Sequence, residues 1–144
     1  MSDSSLIEAE MLEPVLRLFP KSRYERLPEV PLGRKLIDLV CVPLDPFGQS
    51  VSIELKIKNW RQALWQAIVN FQMSDQSFIA IWHKFAHRVQ KHLELLEFYG
   101  IGLIVVHPKH AEIIRHSKDH VYRIARKDKT KFYEQILKGA RQRL

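Results

Sequence analysis

Asp38, Glu54 and Lys56 lie on neighbouring segments of the chain, and their types and spacing could hold a cation and a water molecule. In the run SVSIELKIK, apolar and polar residues alternate strictly, so a strand here places Glu54 and Lys56 on one polar face. Asp38 lies within the apolar run LIDLVCV, where an unpaired carboxylate would be costly. We therefore expect another group to compensate the charge of Asp38.

A hairpin would bring these carboxylates together. Asp38 lies as far before Pro46 as Glu54 lies after it, so a turn centred on Pro46 makes them direct cross-strand partners. Such partners have Cβ atoms roughly 4.5–5.5 Å apart, and two like charges at that distance destabilise a sheet. A divalent cation would relieve the repulsion, because Mg²⁺ is commonly held by one or two carboxylates with water and phosphate oxygens. Lys56 would then orient a water or stabilise charge that develops at phosphorus.

The elements around the hairpin predict an α/β fold with a mixed central β-sheet flanked by helices. A helix is predicted over 6–19, and it either starts late, with Pro14 in its first turn, or kinks at Pro14. The next predicted strand contains Pro28, which is typical of a strand at a sheet edge. The remaining predicted elements are strands at 35–42 and 50–57, a helix after Lys58, a strand at 77–82, a helix at 84–100 that ends at Gly100, a strand at 101–106, a helix near His110 to His116, a strand at 120–126 and a basic helix from about Thr130.

On this hairpin the chain resembles the PD-(D/E)XK nuclease superfamily. Asp38 is followed after a gap by Glu54-Leu55-Lys56, with a helix before and a helix directly after, so the resemblance covers about residues 5–82. It implies a restriction-endonuclease-like core of order α-β-β-β-α-β. It also implies that Asp38 and Glu54 bind Mg²⁺ or Mn²⁺ and that Lys56 assists the attacking water. Ile37 stands where the literal motif has Pro, a common variation.

The resemblance implies two further site residues. A glutamate of the first helix often completes the site in the superfamily, and its position favours Glu8, with Glu10 and Glu13 as competitors. Gln66 matches a glutamine that members often carry on the helix after the motif. Asn70 stands where one branch of the superfamily has Tyr.

The formal charge of +7 lies entirely near the carboxyl end of the chain. Residues 1–106 carry 12 basic and 12 acidic side chains, whereas residues 107–144 carry 11 basic and 4 acidic ones. We expect a single nuclease-like domain over 1–144, with a core at about 5–106 and a basic C-terminal extension at 107–144. Clustered cations bind nucleic-acid phosphates, and the candidates are Lys58, Arg61, Lys138, Arg141 and Arg143.

Composition narrows the class of protein. The single cysteine, Cys41, excludes an intramolecular disulfide framework and a cysteine-built zinc site. The chain contains no uninterrupted run of eighteen apolar residues, and its first thirty residues do not have the pattern of a signal peptide. We therefore expect a cytoplasmic protein with no membrane partner.

The expected function is a metal-dependent endonuclease that hydrolyses phosphodiester bonds of nucleic acid, with DNA as the preferred polymer. Many enzymes of the superfamily cut duplexes as dimers, so the resemblance also allows a homodimer. Two alternatives stay open: a noncatalytic nucleic-acid-binding or assembly module with the same fold, and a basic face that docks an acidic protein. The pairs His83/His87 and His116/His120 have metal-clamp spacing, but without a neighbouring acidic residue we interpret them as solvated helix faces.

Overall fold

The computed structural model describes residues 3–118. In it, six strands form one mixed sheet in the order β1-β2-β3-β4-β5-β6. The strands are β1 (Tyr24–Leu32), β2 (Lys35–Pro43), β3 (Val51–Lys56), β4 (Gln76–Trp82), β5 (Gly102–Val106) and β6 (Ala111–Arg115). The three central strands β3, β4 and β5 run parallel, and the other neighbouring pairs are antiparallel. The predicted mixed α/β fold is confirmed, and β1 with Pro28 lies at a sheet edge as expected.

Helices cover both faces of the sheet. They are α1 (Asp3–Leu18), α2 (Trp60–Asn70), α3 (Ala86–Gln90) and α4 (Leu93–Tyr99). Met11 and Val15 of α1 pack with Val51 and Ile53 of β3 in one apolar cluster. The helices α2, α3 and α4 pack on the other face, against alternate residues of β4 and β5. The two faces of β3 therefore meet different helices.

The predicted helix near His110 to His116 is wrong, because this segment forms β6 and pairs antiparallel with β5. All of β5 is buried, so the backbone groups on its open side need partners, and a neighbouring strand supplies them. Ile113 and Ile114 favour a strand, and burial along β6 alternates between half-buried and exposed residues. Burial along this segment thus follows the period of two of a strand, with Ile113 half-buried and Ile114 exposed.

Two predicted helices differ in their bounds. The helix expected at 84–100 is a short 3-10 turn (His83–Phe85) followed by α3 and α4, and the break falls at His92, whose ring stacks on Trp60 at 5.1 Å. Gly100 ends α4 with φ of 75°, as predicted. Pro14 lies inside α1 and not in its first turn.

The predicted strand at 120–126, the basic helix from Thr130 and the cations Lys138, Arg141 and Arg143 lie outside the described residues. Within the described part of the chain, no helix has the length and apolar character needed to cross a membrane.

Candidate active site

Glu54 is a buried carboxyl group between β3 and α2. Its neighbours Ile53 and Leu55 pack in the cluster with α1, so the alternation along the strand turns Glu54 toward α2. The side chain is 1% exposed. Its Oε1 accepts a hydrogen bond from Asn70 Nδ2 at 2.7 Å and one from Lys35 Nζ at 3.0 Å. The carboxyl group is thus held by one amide and one ammonium group.

The register of the hairpin is the predicted one. Leu39 pairs with Ile53 and Cys41 with Val51, and this register continues to Asp38 and Glu54. The pairing of β2 with β3 stops at Leu39, however, and the Asp38 carboxylate accepts a hydrogen bond from the Leu55 backbone N–H at 2.8 Å. The side chain of Asp38 thus takes the place of a backbone partner where the two strands separate.

The strand β1, which lies on the other side of β2 from β3, is irregular at the position opposite Asp38. Glu29 of β1 has φ of 53°, a conformation uncommon for a residue other than glycine, and the described pairing of β1 with β2 skips Glu29 and Asp38. Pairing resumes at Val30 and Ile37. The regular register of the sheet is therefore interrupted on both sides of Asp38, beside the carboxylate pair.

The pKa of Glu54 is raised from its ordinary value of 4.5 to about 7, chiefly by burial, and the nearby charge of Asp38 and a hydrogen bond between the two side chains act in the same direction. The hydrogen bond from Asn70 and the positive charge of Lys35 act in the opposite direction. The two carboxyl groups therefore lie side by side, at the cross-strand position predicted from the hairpin. Adjacent carboxylates are ligands that a divalent cation would bind.

Two amide oxygens of α2 complete the polar surroundings. Gln66 Oε1 and Asn70 Oδ1 are buried and have no hydrogen-bond partner within the described chain. Buried oxygens without a donor are costly, and hard cations such as Mg²⁺ bind carboxylate and amide oxygens. The donor set thus fits a divalent cation, although no group of three or more His, Cys, Asp or Glu side chains that could hold a metal occurs in residues 3–118.

Lys56 follows Glu54 on the same face of β3 and is half-buried at the end of the strand. Lys58 and Arg61 are exposed just beyond it, and the Arg61 guanidinium lies 4.5 Å from the centre of the Trp60 ring. The structure therefore groups Asp38, Glu54, Lys56 and Gln66 around one end of β3, with the two exposed cations beside them.

The first helix stands apart from this group. Glu8, Glu10 and Glu13 are exposed on α1, which packs on the opposite face of β3. No hydrogen bond or ion pair joins any of them to Asp38 or Glu54 within residues 3–118. The expected role of Glu8 stays a prediction.

Two residues of the site were not predicted from the sequence. Lys35 contacts Glu54 from a position far away in the chain, and its Nζ also donates to the Gln66 carbonyl oxygen at 3.2 Å. No sequence signal marks Lys35, because its contact depends on where β2 begins. Asn70 could have been found, since it lies one helical turn after Gln66 and therefore shares its face of α2.

No family model matches the chain, and no curated protein matches it. A solved structure, described as the SPO1766 protein of unknown function from Silicibacter pomeroyi, is similar with a TM-score of 0.69 at 18% sequence identity. The match covers 92% of this chain and 85% of that chain. At this identity the similarity shows a shared fold alone.

Proposed function

We propose that this protein is a metal-dependent nuclease that hydrolyses phosphodiester bonds, with DNA as the preferred substrate, on a restriction-endonuclease-like core. One observation carries the proposal: Asp38 and the buried Glu54 meet where the pairing of β2 and β3 ends, and the pKa of Glu54 is raised to about 7. Purely structural carboxylates are seldom kept buried in contact with each other, because each charged form disfavours the other.

In this proposal Asp38 and Glu54 would hold Mg²⁺ or Mn²⁺, and the partnerless oxygens of Gln66 and Asn70 on α2 are further candidate ligands. The bound cation supplies Lewis acidity toward the phosphodiester and the attacking water. Asn70 orients Glu54 through its hydrogen bond, so it acts as a positioning residue.

Lys56 has the role of charge stabilisation and water alignment. An ammonium group carries three donors and no acceptor, so Lys56 can donate to a nucleophilic water and to a phosphate oxygen at the same time. Negative charge grows on the phosphate oxygens as water attacks phosphorus, and a fixed cation lowers that barrier. Lys58, Arg61 and the basic C-terminal extension, with Lys138, Arg141 and Arg143, would hold the flanking backbone.

Cleavage assays test the proposal. Wild-type protein is incubated with supercoiled, linear and branched DNA and with RNA, in Mg²⁺ or Mn²⁺ and in EDTA. We expect cation-dependent cleavage that falls by about 10²–10³-fold in Lys56→Ala, the size typical for loss of one transition-state donor. Asp38→Asn should lose at least as much, because it removes a ligand charge.

Lys91→Ala is the matched control, since Lys91 is exposed on the turn after α3. It should keep the wild-type rate. The same assay on Glu8→Gln tests the role of Glu8. A reduced cleavage rate would assign Glu8 to the metal site, and an unchanged rate would mean that it is a surface residue. Full cleavage rates in both Lys56→Ala and Asp38→Asn would contradict the proposal.

A second function is favoured by the ion pair between Lys35 and Glu54. An ammonium group 3.0 Å from the carboxylate already satisfies part of the charge that a metal would satisfy. Such a site suits a nucleic-acid-binding or assembly module that has no need for a metal. Calorimetry with Mn²⁺ alone separates the two: salt-sensitive DNA binding without Mn²⁺ binding would favour the module.

A further inference from the structure

Three histidines from two segments of the chain form a continuous ring stack, here called the imidazole stack (His83, His107 and His110). The ring centres of His83 and His107 are 4.9 Å apart at 24°, and those of His107 and His110 are 4.4 Å apart at 6°. Nearly parallel rings at this spacing do not point their nitrogen atoms at one common centre. The stack therefore does not have the geometry of a metal site.

The register of the parallel strands creates the stack. Trp82 at the end of β4 pairs with Val106 at the end of β5, so the residues that follow lie side by side. His110 joins from the loop before β6, and that loop is closed by a hydrogen bond from the His107 N–H to the His110 carbonyl oxygen at 2.8 Å. Helical spacing between His83 and His87 has no part in it.

The surroundings of the stack are mostly cationic. Lys84 follows His83 in the chain and Lys109 precedes His110, and both lysines are exposed. Arg17 of α1 donates to the Lys109 carbonyl oxygen at 2.6 Å. Within residues 3–118, the carboxylate that contacts the stack is Glu112, whose Oε1 lies 3.7 Å from His107 Nε2. The stack and the residues beside it in the chain thus carry more basic groups than the one contacting carboxylate can compensate.

Protonation of the whole stack needs an additional anion. Burial lowers the pKa of His83, and the charges of His107 and Lys84 lower it further. Protonated rings in contact repel each other, and Glu112 compensates one charge at most. An external polyanion would supply the missing negative charge and would favour the protonated rings in return.

We propose that the imidazole stack, with Lys84 and Lys109, is a binding site for the phosphate backbone of nucleic acid, and that its affinity rises as the pH falls. The choice of nucleic acid as the anion rests on the proposed nuclease function. The stack lies at the carboxyl ends of β4 and β5, and Glu54 and Lys56 lie toward the same end of β3. Ligands of open α/β sheets bind at this edge.

The distance between the candidate site and the imidazole stack suits a nucleic-acid strand that contacts both. Glu54 pairs with Ile79, and ideal strand dimensions then place the Cα atoms of Glu54 and His83 about 14 Å apart. That length corresponds to about four steps of duplex DNA. The stack would therefore hold phosphates a few nucleotides away from the bond at the candidate site.

Binding in EDTA tests this inference without any cleavage. Affinity of the full chain for a short DNA duplex is measured at pH 6 and pH 8 at constant low salt. We expect affinity to be about tenfold higher at pH 6, because each histidine that takes up a proton on binding adds up to one decade per pH unit. The triple variant His83→Gln, His107→Gln, His110→Gln should lose most of this difference.

His87→Gln is the matched control, because His87 is exposed on α3 and follows His83 closely in the chain. It should keep the wild-type pH dependence. A folded triple variant, verified by thermal unfolding, that keeps both affinity and pH dependence would overturn the inference. So would a pH dependence lost in His87→Gln.

Proton NMR of the histidine rings gives a second readout that does not depend on the variants. On adding the duplex, the pKa of at least one ring of the imidazole stack should rise, and that of His87 should stay unchanged. No rise in any of the three, or an equal rise with inorganic phosphate at the same phosphate concentration, would contradict a backbone site. If binding behaves as expected and no cleavage occurs, the nuclease proposal fails and this inference stands.

Discussion

The two faces of β3 are both buried but differ in chemistry. On the α1 face, Val51 and Ile53 are 1% and 0% exposed and pack only with apolar side chains. On the α2 face, Ser52 and Glu54 are each 1% exposed and form hydrogen bonds with polar partners. The α1 face stabilises the fold by burying apolar surface, whereas the α2 face lowers stability by burying a carboxyl group. The α2 face thus carries the polar groups on which the proposed function rests.

Burial acts on an ionisable group of each face with a different outcome. It raises the pKa of Cys41, on the α1 face, to about 12, so the thiol stays neutral at any physiological pH. It raises the pKa of Glu54 to about 7, so this carboxyl group changes charge near neutrality. Of these two, only Glu54 can exchange a proton for a cation under ordinary conditions.

The largest expected effect is on the α1 face. Ile53→Ala should lower the free energy of unfolding by about 2–5 kcal/mol, because it removes a fully buried side chain and leaves a cavity. Urea unfolding measures it. Leu36→Ala is the control, since Leu36 is 52% exposed and should change stability by less than about 0.5 kcal/mol. Similar losses in both variants would contradict the assigned core.

Glu54→Gln tests the α2 face through its pH dependence. The folded protein binds the Glu54 proton more tightly than the unfolded chain does, so wild-type stability should fall as the pH rises from 4.5 to about 7 and then level off. Gln carries no charge and can still pair with Asn70. In EDTA at pH 8 the variant should be more stable than wild type, by up to about 3 kcal/mol.

Chemical denaturation of wild type and variant between pH 4 and pH 8 measures the difference. The gap between them should widen as the pH rises through this window. A constant gap would mean that Glu54 does not titrate within it.

The smallest effect is expected for Lys35→Met. The positive charge of Lys35 lowers the pKa of Glu54, so its removal should disfavour the charged carboxylate further. We expect a loss of about 1 kcal/mol at pH 8 in EDTA and almost none at pH 4, where Glu54 is protonated in both states. Thermal unfolding at both pH values measures it. An equal loss at both pH values would indicate a packing role for the lysine stem instead.

Local patterns predicted what depends on neighbouring residues in the chain. Strict alternation and the turn centred on Pro46 predicted the hairpin with the observed register, and the order of helices and strands predicted the mixed sheet. The segment near His110 was assigned wrongly, because its short apolar pattern also fits a helix. It forms a strand because β5 needs backbone partners on its open side, and this need is visible only in the fold. The contacts of Lys35 and the imidazole stack depend on which strands end together, and this follows from the tertiary fold alone.

The outer edge of β1 limits how a second copy of this chain could associate. Pro28 and Pro31 lack the N–H that a further strand would need, and the positive φ of Glu29 between them interrupts a regular edge. Extension of the sheet across this edge is therefore disfavoured, which also protects the folded protein from aggregation through added strands. A dimer would have to meet through side chains if it used this side of the molecule.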